Sequence, residues 1–441
     1  MLRTWQNWSG LATAHPAQEL TPTSPEEVVD AVVAARRHGL AVKMVGSGHS
    51  FTDIAVAEGL LLRPDRLTGV VTVDRDAMTV TALAGTPLHE LNETLARLGL
   101  ALHNLGDIDR QTVAGAISTG THGTGGRWAS LSAQVAAFDL VTADGTVVHA
   151  RPDGDDLATA VFAAGRIGLG ALGLLTTVTF FVEPAFTLDA VEEAMPFARV
   201  VDEFETLADT HHHFEAYWFP HTDRMLTKSN NRTADEPRPL RRPRAWVEDE
   251  LLANTLFGVV NRVGDVVPRA VPPLARASSR ALGTRRYSDA SHRVFTSPRR
   301  VVFREMEYAV PREAGMAALT EVRALVEQRG WRISFPVEVR HAPADDVWLS
   351  TAHERDSVYL AFHVNARTDH REYFEGVEQV LVGYDGRPHW GKLHTRTVDD
   401  LASTYLRMDD FRYLRERLDP EGLFANAYLD RVLGPVGGRD R

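Results

Sequence analysis

The spacing of apolar residues in the first hundred positions predicts two amphipathic helices. Over 24–39 the apolar residues follow a helical period, and a serine N-cap, a proline and two glutamates stand at the start. The residues of this start are Ser24, Pro25, Glu26 and Glu27, and the apolar face is Val28, Val29, Val32 and Val33. The same period predicts a second helix over 87–98.

Short runs rich in β-branched residues, separated by glycine and aspartate turns, predict strands. Before residue 184 the predicted strands are 40–45, 69–73, 79–83, 136–142, 146–149 and 174–182. Beyond it the glycine loops become sparse, and the predicted elements are strands 214–219, 301–308, 333–340 and 358–364 and helix 313–327. Irregular surface is expected at 235–244 and 268–300, and a buried or interfacial helix at 251–260. This change in glycine loops and predicted elements after residue 184 indicates an α+β fold of two domains, 1–183 and 184–404. The second domain is expected to cap the first.

Length and composition exclude several classes of protein. At 441 residues the chain exceeds the size at which one hydrophobic core keeps growing, so two domains are the expected minimum. A formal net charge of −11 gives no basic field for nucleic acid, and the lack of cysteine excludes disulfides and thiolate metal sites. No apolar run approaches the roughly 20 residues of a membrane helix, and the N-terminus lacks the apolar core of an export signal. We therefore expect a cytoplasmic protein with no integral membrane segment and no nucleic-acid partner.

Two glycine-rich loops are the strongest chemical signal. The first, Val45-Gly46-Ser47-Gly48-His49-Ser50-Phe51, follows an apolar strand, and its glycines allow successive backbone N–H groups to converge on an anion. The second, residues 113–126, has five glycines and four hydroxyl residues in fourteen positions, which adds donors suited to pyrophosphate and ribose oxygens. Neither loop has the G-x-G-x-x-G spacing of a Rossmann fold, and no Walker A pattern occurs.

In this order and spacing, the loops resemble the FAD-binding domain of the vanillyl-alcohol oxidase superfamily. The whole chain resembles its sugar-1,4-lactone oxidase branch, which includes L-gulono-1,4-lactone and D-arabinono-1,4-lactone oxidases, with alditol oxidase as a near relative. The matching segments are Asn7-Trp8-Ser9-Gly10, Gly46 to Phe51, Asn104-Leu105-Gly106, Gly120 to Gly125, Thr142-Ala143-Asp144-Gly145, Gly170-Ala171-Leu172-Gly173, Trp218-Phe219-Pro220-His221, Val337-Glu338-Val339-Arg340, Arg387 to Lys392 and Leu418-Asp419-Pro420. The resemblance implies a two-domain fold, an FAD-binding PCMH-type domain and an α+β substrate (cap) domain, with 405–441 packing back on the FAD domain.

The resemblance implies FAD as the cofactor, attached covalently through His49 to the 8α-methyl group of the flavin. The residues implied in binding it are Gly46, Ser47, Gly48, His49, Ser50, Gly106, Asp107, Thr112, Gly115, Thr119, Gly120, Thr121, His122 and Leu174. For His122, a role in shaping the loop is equally consistent. No metal is expected at His211-His212-His213, because adjacent side chains diverge and the spacing is not that of a zinc site.

Three residues are candidates for the chemistry. Lys392 matches an active-site lysine of alditol oxidase, and a cation near the pyrimidine end of the ring would stabilise an anionic reduced flavin. Glu338 and Arg340 alternate along a predicted strand, so their side chains project to one face. The resemblance places both in the substrate pocket. Lys392 and Glu338 are alternative acceptors of the substrate's hydroxyl proton.

The substrate expected from the resemblance is a sugar lactone. Ala361 and His363 stand where alditol oxidase has a histidine and a threonine, and Asp107 replaces its serine. These departures disfavour a linear polyol. The segment Trp218-Phe219-Pro220-His221 follows the lactone oxidases, so the resemblance favours an aldonolactone, oxidised at its 2-hydroxyl by hydride transfer to flavin. Gly106 favours O2 as the acceptor, giving H2O2, because alanine at this position hinders oxygen in the plant galactonolactone dehydrogenase. An alditol or carbohydrate oxidase, and a lactone dehydrogenase with another acceptor, are the alternatives.

Overall fold

The computed structural model describes residues 4–127, 129–240, 267–280, 283–297 and 301–438. The strands are β1 Trp5–Gln6, β2 Thr13–Ala14, β3 Gln18–Leu20, β4 Val42–Met44, β5 Leu60–Leu62, β6 Val70–Asp74, β7 Thr79–Leu83, β8 Leu100–Ala101, β9 Val135–Val141, β10 Val147–Ala150, β11 Leu174–Phe181, β12 Glu183–Pro184, β13 Thr187–Pro196, β14 His213–Trp218, β15 Arg224–Thr233, β16 Arg285–Ala290, β17 Phe303–Pro311, β18 Val337–Ala342, β19 Ser357–Asn365 and β20 Arg387–Pro388. The helices are α1 Pro25–Arg37, α2 Leu88–Arg97, α3 Val113–Ser118, α4 Asp156–Gly165, α5 Phe197–Thr210, α6 Val271–Arg280, α7 Ser291–Phe295, α8 Gly315–Arg329, α9 Arg371–Gly383, α10 Val398–Ala402, α11 Met408–Leu418 and α12 Ala427–Leu433. Among the described residues, no helix has the length and apolar character needed to span a bilayer.

Helix α1 confirms the first sequence prediction. The Ser24 hydroxyl accepts a hydrogen bond from the Glu27 N–H at 3.4 Å, which satisfies one of the free donors at the start of the helix. Val28 and Val32, which belong to the predicted apolar face of the helix, are fully buried. The predicted helix over 87–98 is also confirmed, as α2.

The first half of the chain is built on two sheets. A five-stranded sheet has the order β10-β9-β11-β7-β6, and a parallel three-stranded sheet has the order β3-β5-β4. The first glycine loop leaves the carboxyl end of β4, the strand that follows helix α1 and forms one edge of the three-stranded sheet. Side chains of the C-terminal helices α11 and α12 share the hydrophobic core of this half, and the Val42 N–H donates to the Leu423 carbonyl at 2.8 Å. The end of the chain therefore packs beside the strand that carries the loop.

The second half is organised by an eight-stranded sheet with the order β16-β13-β15-β14-β18-β19-β17-β20. Its neighbouring strands are antiparallel, so residues paired across strands lie on the same face. One face is apolar and packs against helices α5, α8 and α9 in a separate hydrophobic core. The other face carries charged side chains that are buried as well. A strand buried on both faces with charges on one of them is unusual and marks a site.

The stretch 268–300 was expected to be loops or mobile surface, and this expectation is wrong. It contains helix α6, edge strand β16 and helix α7. Pro272 and Pro273 lie in the first turn of α6, where a helix needs no donated N–H, so they do not break it. The strand predicted at 333–340 begins later, at Val337, because Pro336 lacks the N–H that a ladder requires. The helix expected at 251–260, and part of the loop expected at 235–244, lie outside the described residues.

Candidate active site

A deep cleft follows the first glycine loop. It measures about 910 Å³ with its open mouth included, and it is lined by both loops and by the segment 169–175. The backbone N–H groups of residues 46 to 50 have no acceptor among the described protein residues. Gly48 has φ +67°, and a side chain at Gly46 would bring its Cβ within 2.1 Å of the Thr112 hydroxyl oxygen. These consecutive N–H groups have no protein acceptor, and the glycines among them let another molecule approach the backbone closely. Such an arrangement fits the phosphates of an extended dinucleotide.

A second cleft of about 770 Å³ continues from the first. The two share His49, Ser50, Gln111 and Thr119 in their walls. A group bound along the glycine loops can therefore extend into the second cleft, whose far wall is the charged face of the large sheet.

The structure brings nearly all of the predicted site residues to these clefts. Those in the first cleft are Gly46, Ser47, Gly48, His49, Ser50, Thr112, Gly115, Thr119 and Leu174. Those in the second are His49, Ser50, Gly106, Asp107, Thr119, Thr121, His122, Glu338, Arg340 and Lys392. Gly120 lines neither cleft. It has φ +80°, and a Cβ there would lie 3.1 Å from Ile167, so this glycine shapes the turn behind the wall.

Arg340 is the centre of one charged network on the sheet face. Its guanidinium is hydrogen-bonded to Glu338, lies 3.1 Å from a Glu215 oxygen through Nε and 3.6 Å from Asp107 through Nη2. The Tyr217 hydroxyl donates to Glu338 at 3.1 Å. Burial disfavours the charge of Arg340, but attraction to Glu338 and Asp107 outweighs it and holds the Arg340 pKa well above its ordinary value. Glu338 therefore faces a permanent cation.

Lys392 belongs to a second network, formed with Glu305 of strand β17, which β19 separates from the β18 strand of Arg340. Its ammonium bonds directly to Glu305, and His363 Nε2 lies 3.4 Å from the other oxygen of that carboxylate. Burial opposes the charge of Lys392, but attraction to Glu305 and Glu307 raises its pKa above the ordinary value. Burial would likewise raise the pKa of Glu305, and the cations beside it instead lower it to about 2. Lys392 is thus a cation and Glu305 its carboxylate partner.

A third group joins His122, Glu307 and His389, whose ligand atoms lie within 4.8 Å of one another. His122 Nδ1 faces the Gly123 carbonyl and its Nε2 faces Glu307, each at 2.9 Å, while its ring stacks on Tyr359 at 3.6 Å. His389 Nδ1 accepts the Gly391 N–H at 3.0 Å, so the proton of the neutral ring sits on Nε2. Burial lowers the His389 pKa to about 4, which keeps that ring neutral. A protonated Nε2 cannot ligate, so this trio does not fit a metal site.

Sequence reasoning missed Glu215, Glu305 and Glu307, which lie on the same sheet face as Glu338. Their signal was present in the sequence. In Phe303-Arg304-Glu305-Met306-Glu307-Tyr308, glutamates alternate with large apolar residues that are buried on the other face. The segment 301–308 was predicted only to be a strand, although its alternation places the carboxylates of Glu305 and Glu307 on one side of it.

Comparisons with known proteins agree with this arrangement. Residues 16–151 match the model of an FAD-binding domain, and residues 178–432 match that of the D-arabinono-1,4-lactone oxidase family. This chain belongs to the D-arabinono-1,4-lactone oxidase family. The first-half cleft is thus part of an FAD-binding domain, and the charged sheet face belongs to the region that defines the D-arabinono-1,4-lactone oxidase family.

Individual relatives extend over almost the whole chain. The L-gulono-1,4-lactone dehydrogenase of Mycobacterium tuberculosis is 39% identical, with 98% of this chain and 99% of the relative aligned. The L-gulonolactone oxidase of Mus musculus is 32% identical, with 97% and 98% aligned. A solved structure titled solvent-stable cholesterol oxidase has a TM-score of 0.82 at 19% identity, covering 98% of this chain and 97% of that one, which shows the shared fold. These matches confirm the resemblance to the sugar-lactone oxidase branch that the sequence indicated.

Proposed function

We propose that this protein oxidises the 2-hydroxyl of an aldono-1,4-lactone of the L-gulono or D-arabinono type, with FAD as hydride acceptor and O2 reduced to H2O2. The observation that carries the proposal is the continuity of the two clefts at His49. Glycine-loop residues would hold a dinucleotide in the first cleft, and the second cleft, which is continuous with it, has a wall that contains Lys392, Arg340 and four carboxylates. The names of the aligned relatives supply the substrate class.

The charged wall suits a neutral, polyhydroxylated substrate. The carboxylates lining it are Asp107, Glu305, Glu307 and Glu338. Each lies against a cation or a histidine, so the wall offers many fixed acceptors and donors to hydroxyl groups. An aldonate or a uronic acid would add a negative charge beside these carboxylates, which disfavours its binding.

The protein's own groups have distinct tasks in the proposed reaction. FAD, when bound, takes a hydride from the carbon that bears the hydroxyl. Arg340 donates to the lactone carbonyl or to a hydroxyl, and Glu338 keeps the guanidinium in place. Lys392 places a positive charge in the second cleft, where reduction of the cofactor creates negative charge.

His49 is proposed as the covalent attachment point of the flavin. Its side chain lines both clefts, with the Trp8 ring centroid 5.6 Å from the imidazole. Burial, with Lys392 and Arg110 adding repulsion, lowers the His49 pKa to about 4. The imidazole is therefore neutral at physiological pH and has the lone pair that bond formation to a methyl carbon requires.

The electron acceptor is proposed to be O2. Gly106 lines the second cleft, and a Cβ at this position would lie 3.1 Å from the His122 carbonyl oxygen and 3.2 Å from the Thr121 methyl carbon. Without a side chain, the glycine leaves that space in the second cleft open, and O2 would use it to reach a flavin bound there. A lactone dehydrogenase with another acceptor is the competing proposal, and the mycobacterial relative is named a dehydrogenase.

One preparation tests these proposals together. Part of the purified protein is precipitated with acid, and the rest is mixed anaerobically with L-gulono-1,4-lactone or with xylitol before air is admitted. A yellow pellet, bleaching of the flavin by the lactone and rapid recovery of colour in air are the expected results. Bleaching by xylitol alone would indicate an alditol oxidase, slow recovery in air a dehydrogenase, and a colourless pellet would contradict attachment through His49.

A further inference from the structure

The proposed attachment of flavin through His49 places two demands on the imidazole. One ring nitrogen needs a lone pair that no hydrogen bond engages, because that pair forms the bond to carbon. The ring also needs a fixed direction, because a reacting group misplaced by about 1 Å reacts much more slowly. His49 meets the first demand, since no residue that the structure describes is hydrogen-bonded to its ring. Its direction is therefore set by something other than a hydrogen bond.

The N-terminal segment lies against the loop that carries His49. The Trp8 N–H donates to the Gly48 carbonyl at 2.9 Å, and Asn7 Nδ2 donates to the Ser50 carbonyl at 2.8 Å. These two bonds hold the residues on either side of His49. A Cβ at Gly48 would lie 3.6 Å from the Asn7 Cα, so the two segments are in close contact. The loop is thus held through its carbonyl groups, and its N–H groups stay available to the cofactor.

The Asn7 side chain makes this anchor rigid. Asn7 is buried, and its Oδ1 accepts hydrogen bonds from the Leu11 N–H at 3.0 Å and the Ala12 N–H at 3.1 Å. The Asn7 N–H donates in turn to the Ala12 carbonyl at 3.0 Å. The segment 7–12 is therefore folded back on itself around one amide side chain. Trp8 follows Asn7 directly, so the position of its backbone is fixed as well.

The indole ring of Trp8 lies beside the imidazole. The two ring centroids are 5.6 Å apart and the planes differ by 32°, so the rings lie partly face to face. Two edge-to-face contacts fix the indole itself, with Phe51 at 6.2 Å and with Phe303 at 5.2 Å. Phe303 comes from strand β17, so the indole is held between the two halves of the molecule. A contact through the ring face orients the imidazole and leaves its nitrogen lone pair unused.

We propose that Trp8 is a positioning residue for the covalent attachment of flavin to His49, an inference that rests on the attachment proposed above. In that step the imidazole lone pair forms an N–C bond to the 8α carbon. One C–H bond of the methyl group breaks, its proton leaves, and its electron pair passes into the flavin ring. The imidazole then loses its N–H proton. O2, the acceptor in the proposed function, takes up the two electrons and two protons as H2O2. Trp8 acts only by holding the imidazole in line with the methyl group.

The test separates attached flavin from flavin that is merely bound. Total flavin is measured by visible absorbance of the purified protein, and attached flavin is the share that stays in the pellet after acid precipitation. Trp8→Leu keeps an apolar side chain in the aromatic cluster but removes the ring face. We expect its total flavin to stay near the wild-type value and its acid-stable share to fall about 10-fold or more. Trp8→Phe keeps an aromatic face and is expected to retain most of the acid-stable share.

Trp331→Leu is the matched control, because Trp331 is a half-buried tryptophan that packs against Tyr373 of helix α9, outside the walls of both clefts. A wild-type acid-stable share is expected there. The same share in Trp8→Leu would overturn the proposal. Total and acid-stable flavin falling together would also overturn it, because Trp8 would then act in cofactor binding. A loss in Trp8→Phe as large as in Trp8→Leu would show that the ring face is not what orients His49.

The wild-type protein separates failure of this inference from failure of the proposed function. A colourless wild-type pellet, with flavin that the lactone still bleaches, would contradict attachment through His49 and the role of Trp8 with it, and would leave the oxidation of the lactone standing. A yellow wild-type pellet with flavin that no lactone bleaches would contradict the proposed oxidation. The comparison of Trp8→Leu with wild type would still decide the role of Trp8.

Discussion

The two clefts offer ligands opposite kinds of groups. The loop cleft offers backbone N–H groups of residues 46–50, beside Gly46 and Gly48, which have no side chains. The sheet face offers ionised side chains, buried or half-buried, that lie against partners, as Arg340 does against Glu338 and Lys392 against Glu305. A backbone site is damaged by adding a methyl group, whereas a side-chain site is damaged by removing a charge.

The largest expected effect comes from adding a methyl group to the loop. In Gly46→Ala the new Cβ would lie 2.1 Å from Thr112 Oγ1, a contact that forces the loop or the start of helix α3 to move. We expect the variant to lose most of its bound flavin. The measurement is the ratio of visible to protein absorbance after purification.

Gly383→Ala is the control for Gly46→Ala. Nothing lies within 4 Å of a Cβ at Gly383, at the end of helix α9, and its φ is not in the left-handed region. Full flavin content is expected there. A Gly46→Ala protein with normal flavin content would show that the close approach of the loop to Thr112 is not needed, and the comparison between the clefts would break.

Removing a charge from the sheet face is expected to spare the cofactor. Lys392→Met leaves Glu305 without its cation and removes positive charge from the second cleft. We expect normal flavin content and a loss of about 10²–10³ in the rate of flavin reduction by lactone, the usual cost of one such electrostatic group. Anaerobic stopped-flow absorbance measures both. Equal loss of flavin and of rate would mean that the two clefts are not functionally separate.

The same contrast explains which parts of the site could be predicted from the sequence. The loop cleft is contiguous: strand β4, two glycines and His49 follow one another within a few residues, so local pattern identified it. Helix α1 was predictable for the same reason, since its cap and apolar stripe are local. Lys392 was found only through a resemblance, because nothing nearby in the sequence distinguishes it from a surface lysine.

The rest of the sheet site depends on strand order, which local pattern does not contain. Glu305, Glu338 and His363 come from three strands that are adjacent only in the order β18-β19-β17. Their partners decide their protonation, so the sequence alone does not choose between Lys392 and Glu338 as proton acceptor. The irregular surface expected at 268–300 was wrong for a local reason, since Pro272 and Pro273 stand in the first turn of α6, where they do not break a helix.

A smaller perturbation can be made at Gly106, in the wall of the second cleft. In Gly106→Ala the new Cβ has contacts of 3.1 and 3.2 Å, tight but open to small adjustment, so folding and flavin content are expected to survive. The reduced enzyme is expected to react more slowly with O2, while anaerobic reduction by lactone changes little. Reoxidation is followed after mixing the reduced protein with air-saturated buffer. Unchanged reoxidation would separate Gly106 from oxygen access.

The smallest expected effect is on stability, at a contact that ties the two halves together. The Glu183 carboxylate, at the end of the first half, takes two hydrogen bonds from Arg232 on β15, at 2.6 and 2.5 Å, and lies 2.9 Å from His103 Nδ1. Partial burial would raise the Glu183 pKa, but His103 and Arg232 lower it to about 2. The charged form is favoured in the folded state, so the contact stabilises the protein above the ordinary glutamate pKa.

Glu183→Gln is therefore expected to lower the free energy of unfolding near neutral pH by about 1 kcal/mol, a discounted value for a pair that water partly screens. The difference from wild type is expected to shrink as pH falls from about 4.5 towards 2, because protonation of Glu183 removes the same interaction. Denaturant unfolding at several pH values measures it. Glu421→Gln, at the exposed pair with Arg36, serves as control and is expected to change less. If the difference in free energy of unfolding between wild type and Glu183→Gln grew as the pH fell, the predicted direction of the pH dependence would be wrong. The Glu183 ion pair would then not be what stabilises the contact between the two halves.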